Sequence, residues 1–517
     1  MRSRPVVSVV ALSILALTAA GSAQVFVPRP AAPHDAPGSK HDVEAYWLPR
    51  HRELIERSRH SYPAGELPAH RAARLKFKRP KRISSDILGV PPDILPTAQA
   101  ETQTEPYVAV NPDNPKHLVA GWQETRFTNG AARALGVAVS TNGGRQWSDA
   151  LIPNLSVADG GEWWRASDPW PTFGTDGVVY YNSLVVGDGM GTGPRGSSAI
   201  AVSTSHDGGF TWGDPVLVAR DKAHFHDKNS MVVDTAPESP HRGNVYVGWD
   251  INLLRGGRFG IQRMVASRST DQGATWSKPK RIVQSDTNIG IIMRVGSDGT
   301  LYAVWSGADE GDPNLSIRFA KSTNGGRSFS KPAKIGDLLA VGVDRFRAGV
   351  IIPSFDIDPT TGDLFVTWAD ARFTGVDQVA MIVSRDGGDT WSAPVRVNDG
   401  PCCQAAMTVG IAANTEGHVL VGYYTLRNDD GTHSKLDYFA NRSTDGGRTF
   451  EKGVRVTRKS FNPQDAARAG PELWVFLGDY VGLAGRGKGF AAVFTAPLKR
   501  SQLGTGRQPD IFGAVAR

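Results

Sequence analysis

Cysteine is almost missing: the chain has two, Cys402 and Cys403, and they are neighbours. No long-range disulfide framework can be built from an adjacent pair, so packing has to hold the fold. The pair itself could close a strained vicinal ring or stay as two thiols. Long apolar runs are also scarce. The one near the N-terminus, Val6 to Ala20, spans roughly 15 residues, short of the roughly 20 that a membrane-spanning helix needs. Nor does one sign of charge dominate. The 58 basic and 51 acidic residues leave +7, with much of the excess before residue 100, which argues against a nucleic-acid groove. A phosphate-cradling P-loop, a dinucleotide fingerprint, a Gly-x-Ser-x-Gly elbow and a Cys-x-x-Cys pair are all absent, so none of these motifs points to a reaction class.

Turn formers are plentiful. With 58 Gly, 33 Pro and 40% hydrophobic residues, the chain reads as many short strands around a large core. Arg2 and Arg4, the apolar stretch and the small residues Gly21, Ser22 and Ala23 form an export signal cleaved near Ala23, which predicts a periplasmic or secreted product. Residues 24–100 form an N-terminal extension. It has a spacer with Pro28, Pro30, Pro33 and Pro37, an amphipathic helix from His41 to Arg59, and a basic run from Arg71 to Arg82 that is either a solvated connector or a contact for anionic lipid or polysaccharide.

The remainder, 101–517, is repetitive. Six segments share Ser-x-(Asp/Asn)-x-Gly-x-x-aromatic: Ser140–Trp147, Ser205–Trp212, Ser269–Trp276, Ser322–Phe329, Ser384–Trp391 and Ser443–Phe450. Each suits a hairpin turn in which the Asp or Asn side chain accepts backbone N–H bonds and Gly takes the positive φ. Between them recurs a strand ending in an aromatic, His117–Trp122, Asn244–Trp249, Thr300–Trp305, Asp363–Trp368 and His418–Tyr423, with Val178–Ser183 in the second unit. A shorter apolar strand precedes it, as in Tyr107–Val110 or Ser230–Val233. Four antiparallel strands per unit predict an all-β propeller. The strands Tyr480–Ala484 and Gly489–Phe494 follow the last turn, which favours seven blades over six. The seventh is completed by strands near Ile511–Val515 and Ile83–Val90 that join the two ends of the chain.

In a propeller the innermost strands line the central channel, and the loops entering them share a rim with those leaving the second strands. Those positions collect Glu105, Glu124, Arg126, Arg165, Asp168, Asp227, Lys228, Asp250, Asp309, Glu310, Asp312, Arg345, Arg347, Asp370, Arg372, Arg427, Asp479 and Tyr480. No cofactor is expected. Asp309, Asp312 and Asn314 supply hard oxygen ligands that could hold Ca²⁺, and His224 and His226 beside Asp227 are either loop histidines or a transition-metal pair.

The six turn segments resemble the Asp-box, or bacterial neuraminidase repeat, of the sialidase superfamily. Gln103–Asn111, His226–Asn229 and Leu477–Leu483 are similar to segments of secreted bacterial sialidase-like proteins. The resemblance implies an exported glycoside hydrolase acting on terminal acidic sugars, a monomer with a glycan partner, no nucleic acid and no transmembrane segment. It implies Tyr480 as nucleophile with Glu105 as its partner, and Asp168, Asp227 or Asp370 as the acid. Arg165, Arg347 and Arg372 would hold the substrate carboxylate, with Lys228 and Asp479 beside them. From another class comes a noncatalytic propeller that binds protein or envelope polysaccharide through the tryptophans of Glu162–Arg165 and Pro169–Pro171.

Overall fold

The computed structural model describes residues 71, 74–88, 98–187, 197–255, 258–285, 287–309, 314–400, 404–470, 472–500 and 507–517. The export signal, the spacer, the 41–59 helix, Cys402 and Cys403, Glu310 and Asp312 lie outside them. Strands dominate, and among the described residues no helix is long and apolar enough to cross a membrane.

Seven four-stranded antiparallel sheets follow one another along the chain, the first two joined only through the Ala132–Ala166 pair. Their innermost strands are Gln103–Val110, Arg165–Phe173, Phe225–Val233, Thr287–Val295, Ser354–Ile357, Ala406–Ala413 and Gly482–Arg486. Each touches the next and the last touches the first, so the ring of blades closes around one axis. In the seventh sheet, Lys81–Arg82 from the N-terminal side pairs with the C-terminal strand Arg507–Ala516, Lys81 opposite Gly513 and Arg82 opposite Phe512. That pairing begins two residues before the expected Ile83, and Ile83 N–H adds a further bond of 2.9 Å to Ile511 O.

Local chemistry explains the turns. In the second, Asp207 Oδ1 accepts from Phe210 N at 3.0 Å, Thr211 N at 2.9 Å and Ser205 Oγ at 2.8 Å, while Ser205 Oγ accepts from Gly209 N at 2.8 Å. Desolvation works to raise the Asp207 carboxyl, but those bonds together with one from the Thr211 hydroxyl outweigh it and hold the group down to about 2. The second-strand aromatics Trp122, Trp249, Trp305 and Trp368 are fully buried and supply much of the core packing.

One element has no counterpart in the repeat. Phe346–Arg347, Trp474–Phe476 and Ala467–Ala469 form a three-stranded sheet with Trp474–Phe476 in the middle, parallel to the first and antiparallel to the last. It ties the connection between blades four and five to that between blades six and seven.

Candidate functional site

The innermost strands start earlier than the apolar pattern indicates, and their first residues are bent inward. Register shifts fall at Thr104/Tyr107, Ser167/Trp170, Asp227/Ser230, Ile289/Ile292 and Met407/Gly410. Each shift contains a residue of positive φ: Glu105 at 53°, Asp168 at 53°, Lys228 at 47°, Gly290 at 73° and Thr408 at 49°. A bulge at a repeated height re-aims one side chain per blade. Pro106 and Pro169, which lack an N–H, are accommodated there because the ladder is already interrupted. Non-glycine residues held at positive φ are strained, and such strain gathers at functional positions.

Blades one, two and three therefore present Glu105, Asp168 and Lys228 side by side, and Asp479 approaches them from the seventh. Lys228 Nζ lies 2.7 Å from Asp479 Oδ2 and 3.7 Å from Glu105 Oε1. Arg347, carried in by the extra sheet, grips Asp479 through Nε at 3.1 Å and Nη2. Asp168 accepts from Lys228 N at 3.1 Å and from Ser167 Oγ at 2.7 Å. Asp227 Oδ1 takes the same Lys228 amide at 2.9 Å. Glu105 accepts from Gln123 Nε2 and from Asp479 N at 3.2 Å.

Arg126 completes the group. One nitrogen, Nη1, donates to Gln123 Oε1 at 2.6 Å, and the guanidinium lies 3.8 Å above the Phe476 ring. Its Nε and Nη2 have no partner although the residue is 1% exposed. Burial and the neighbouring Arg347 pull its pKa down to about 10, against the pull of Glu105.

These environments drive the acids apart. Burial, resisted by Lys228, lifts Glu105 to about 7 and Asp227 to about 7. Asp250, behind Asp227, is pushed well above its ordinary value by burial and by Asp227. Asp479 is equally buried, yet Arg347 and Lys228 outweigh that and hold it below the usual carboxylate range. Lys228 is raised, its burial overcome by Asp168, Asp479 and Glu105. Proton-holding and permanently charged carboxyls side by side are the raw material of acid–base chemistry.

Tyr480 sits just beneath, its ring edge-on to Trp170 at 5.6 Å and to Tyr107 at 6.5 Å. Its hydroxyl has no hydrogen-bond partner. Burial, Glu105 and Asp168 raise its pKa well above 10. The Tyr480–Glu105 couple implied by resemblance is therefore not formed, because Glu105 is spent on Gln123 and the Asp479 amide. Here the channel narrows to a cleft of about 10 Å³ between Tyr107, Trp170, Ile352, Val409, Asp479 and Tyr480, room for one water molecule.

Three expected site residues stand elsewhere. Asp370 accepts from Trp368 Nε1 at 2.7 Å and from Arg372 Nε and Nη2, both at 2.8 Å, so Asp370 and Arg372 satisfy each other at the rim of blade five. Arg165 donates to Asn129 Oδ1 and Gly130 O, both at 2.8 Å, and stacks 3.8 Å from Phe127, fastening a hairpin of the neighbouring blade. The carboxylate-binding trio thus does not converge; only Arg347 reaches the cluster. Asp309 pairs with Arg318 at 3.0 Å, which occupies the proposed calcium ligand. Among the described residues no group of three or more His, Cys, Asp or Glu stands close enough to share a metal. Trp163 and Trp170 are 2% and 3% exposed, buried in the core and closed to stacking with a ligand, whereas Trp164 is only partly buried. Arg126 was visible in the sequence as a rim residue; its special position shows only once Gln123 and Phe476 are seen to use one nitrogen and one face.

No protein-family model matches the chain, and no curated protein sequence matches it. Among solved structures, the Hadza microbial sialidase Hz136 is similar at 17% identity and a TM-score of 0.42, over 74% of this chain and 72% of that one. The Trypanosoma rangeli sialidase in complex with sialic acid is similar at 12% identity and TM-score 0.45, over 73% and 60%. The GH93 alpha-L-arabinofuranosidase of Fusarium graminearum with arabinobiose is similar at 12% identity and TM-score 0.44, over 67% and 92%.

Proposed function

We propose that this propeller is an exported glycoside hydrolase that removes terminal acidic sugars, and that its site is the charged cluster at the channel mouth. The observation that carries the reading is the Arg126 guanidinium, buried with Nε and Nη2 unpartnered near Glu105, one of two carboxyls of the cluster that still hold protons near neutral pH. Two parallel N–H groups on one edge match the two oxygens of a carboxylate. Leaving them unbonded in the interior is costly, and an acidic sugar would remove that cost.

Asp227 is the acid for the leaving oxygen, since burial lifts it to about 7 and Asp168 accepts from the Ser167 hydroxyl as well as from the Lys228 amide that both share. Glu105 is the base, acting on Tyr480 or on a water held above it, once substrate displaces the Asp479 amide from its carboxylate. Asp479, Arg347 and Lys228 form an ionic frame around these groups. Every one of them is nine-tenths or more buried. Substrate entry therefore requires the cross-mouth sheet to move, and the same burial favours a second reading in which the cluster only braces a glycan-binding propeller.

Release of a fluorogenic aglycone from an acidic glycoside, a sialoside first, tests the proposal. Arg126→Gln should lower kcat/KM roughly 10²–10³-fold, and Asp227→Asn should remove the alkaline limb near pH 7. Equal turnover by wild type and Arg126→Gln would sink the hydrolase reading.

A further inference from the structure

Behind Asp227 stands a second carboxyl that the proposed chemistry does not use. Asp250, on the second strand of blade three, Val245–Arg255, lies directly opposite Asp227 in the antiparallel ladder. Residues paired in this way project from one face of the sheet with Cβ atoms about 4.5–5.5 Å apart, which lets two carboxyl groups meet. Asp250 is fully buried. Its Oδ2 accepts from Asn252 Nδ2 at 3.2 Å, and its Oδ1 has no donor among the described residues. Asn252 is itself held by Gln262 Nε2 at 2.5 Å, and Gln262 Oε1 by the Asn288 amide at 2.8 Å. A chain of amides thus fastens one oxygen of Asp250 and leaves the other over. Met264, its ladder neighbour on the other side, carries no charge.

The charge balance of the interior shows what that oxygen holds. Glu105, Asp168, Asp227, Asp250 and Asp479 are shut in with the cations Arg126, Lys228 and Arg347. Ionising every carboxyl would leave an excess of negative charge in a dry interior, so protons are retained instead. Asp479 holds Arg347 and Lys228 in ion pairs, Lys228 turns its ammonium to Asp479 and Glu105, and Asp168 takes a hydroxyl and an amide. Among the described residues no cation bonds to Asp227 or Asp250. From blade four the Gly290 amide reaches the Asp250 carboxyl, while Arg294 on the same strand is paired with Asp356 at 2.8 Å. His226 packs against Trp249, away from the two acids. Burial and Asp227 raise Asp250 well above its ordinary value, in agreement with the charge balance. We propose that Asp250 keeps a proton on Oδ1 and donates it in a hydrogen bond to the Asp227 carboxylate, which makes Asp250 the positioning residue of the acid. The role of Asp227 rests on the hydrolase reading, whereas the carboxyl couple is a property of the fold. When Asp227 gives its proton to the leaving oxygen and the glycosidic C–O bond breaks, the carboxylate left behind takes the Asp250 hydroxyl as its donor. Asp227 recovers a proton from solvent as product leaves.

Infrared spectroscopy of the full chain with isotopically labelled aspartate carboxyls reads the couple without turnover. At about pH 9, where Asp227 and Asp377, both about 7, have ionised, wild type should retain the C=O band of a protonated aspartate, and Asp250→Asn should lose it. Followed through pH, the Asp227 transition should rise by about one unit in Asp250→Leu, which deletes the donor, and stay within about half a unit of wild type in Asp250→Asn, whose amide donates instead. The alkaline limb of sialoside hydrolysis should move with it. If Asp250→Leu does not fold, the band and its loss in Asp250→Asn decide alone. No such band in wild type, or an Asp227 transition that stays put or moves down in Asp250→Leu, overturns the couple. The band and its loss in Asp250→Asn, together with no hydrolysis by wild type, keep the couple and remove the hydrolase reading.

Discussion

The channel mouth and the rim of blade five hold the same residue types and use them in opposite ways. At blade five, Asp370 and Arg372 are two residues apart and close on each other through two bonds of 2.8 Å, with Trp368 and Leu339 taking what remains of the carboxylate. At the mouth, groups from four blades converge and leave Arg126 with two idle N–H groups and Tyr480 with an idle hydroxyl. Saturation marks a brace, and unused hydrogen-bonding capacity in a dry interior marks a place prepared for something else. Residue type alone separates neither case.

The contrast can be broken most violently at Asp479. Asp479→Ala leaves Arg347 and Lys228 buried without their shared partner, and should cost about 3–5 kcal/mol, read as a fall in the denaturant midpoint. A loss below about 1 kcal/mol would mean that the ionic frame is dispensable. Next in size, Arg372→Ala strands Asp370 and should cost roughly 2–4 kcal/mol of stability while leaving kcat/KM for the fluorogenic sialoside within about threefold of wild type. Loss of turnover at unchanged stability would reverse the assignment of the two regions.

Proton linkage gives a smaller effect. Burial raises Glu105, Asp227 and Asp377 to about 7 and Glu124 to about 8. The folded chain therefore keeps protons that the unfolded chain gives up, and stability falls as pH rises from about 4.5 to 7. Buried His226, pushed down to about 4, acts in the other direction between about pH 4 and 6.5, and is outnumbered. Tm should be highest near pH 5 and fall toward pH 8, and the drop should be shallower in Glu105→Gln. A Tm that climbs steadily from pH 5 to 8 would show these acids to be ionised in the fold. Smallest of all, Tyr480→Phe deletes a hydroxyl that bonds to nothing, so stability should change by less than about 1 kcal/mol. If Tyr480 is the nucleophile, turnover is lost all the same.

How much was legible follows from how local each feature is. The six turns could be read because donor and acceptor lie within four residues, as in Asp207 with Phe210 and Thr211. The strand after each turn could be read because its aromatic recurs at fixed offset. The bulges could not, since apolar periodicity starts at Tyr107 while the strand starts at Gln103; the acid-proline pairs Glu105-Pro106 and Asp168-Pro169 were the available clue. The extra sheet was beyond reach because Phe346–Arg347 meets Trp474–Phe476 across well over a hundred residues of sequence. Asp370 and Arg372 were misplaced although their spacing already permitted mutual satisfaction.

The pairing of Lys81–Arg82 with the C-terminal strand makes the seventh sheet a clasp that needs both halves. Until the strand Arg507–Ala516 is in place, six wedges must wait as an unfastened arc with bare backbone at either side. Cutting the chain between residues 83 and 98 would spare every repeat and still take the N-terminal strand of the clasp off the tether that holds it in place.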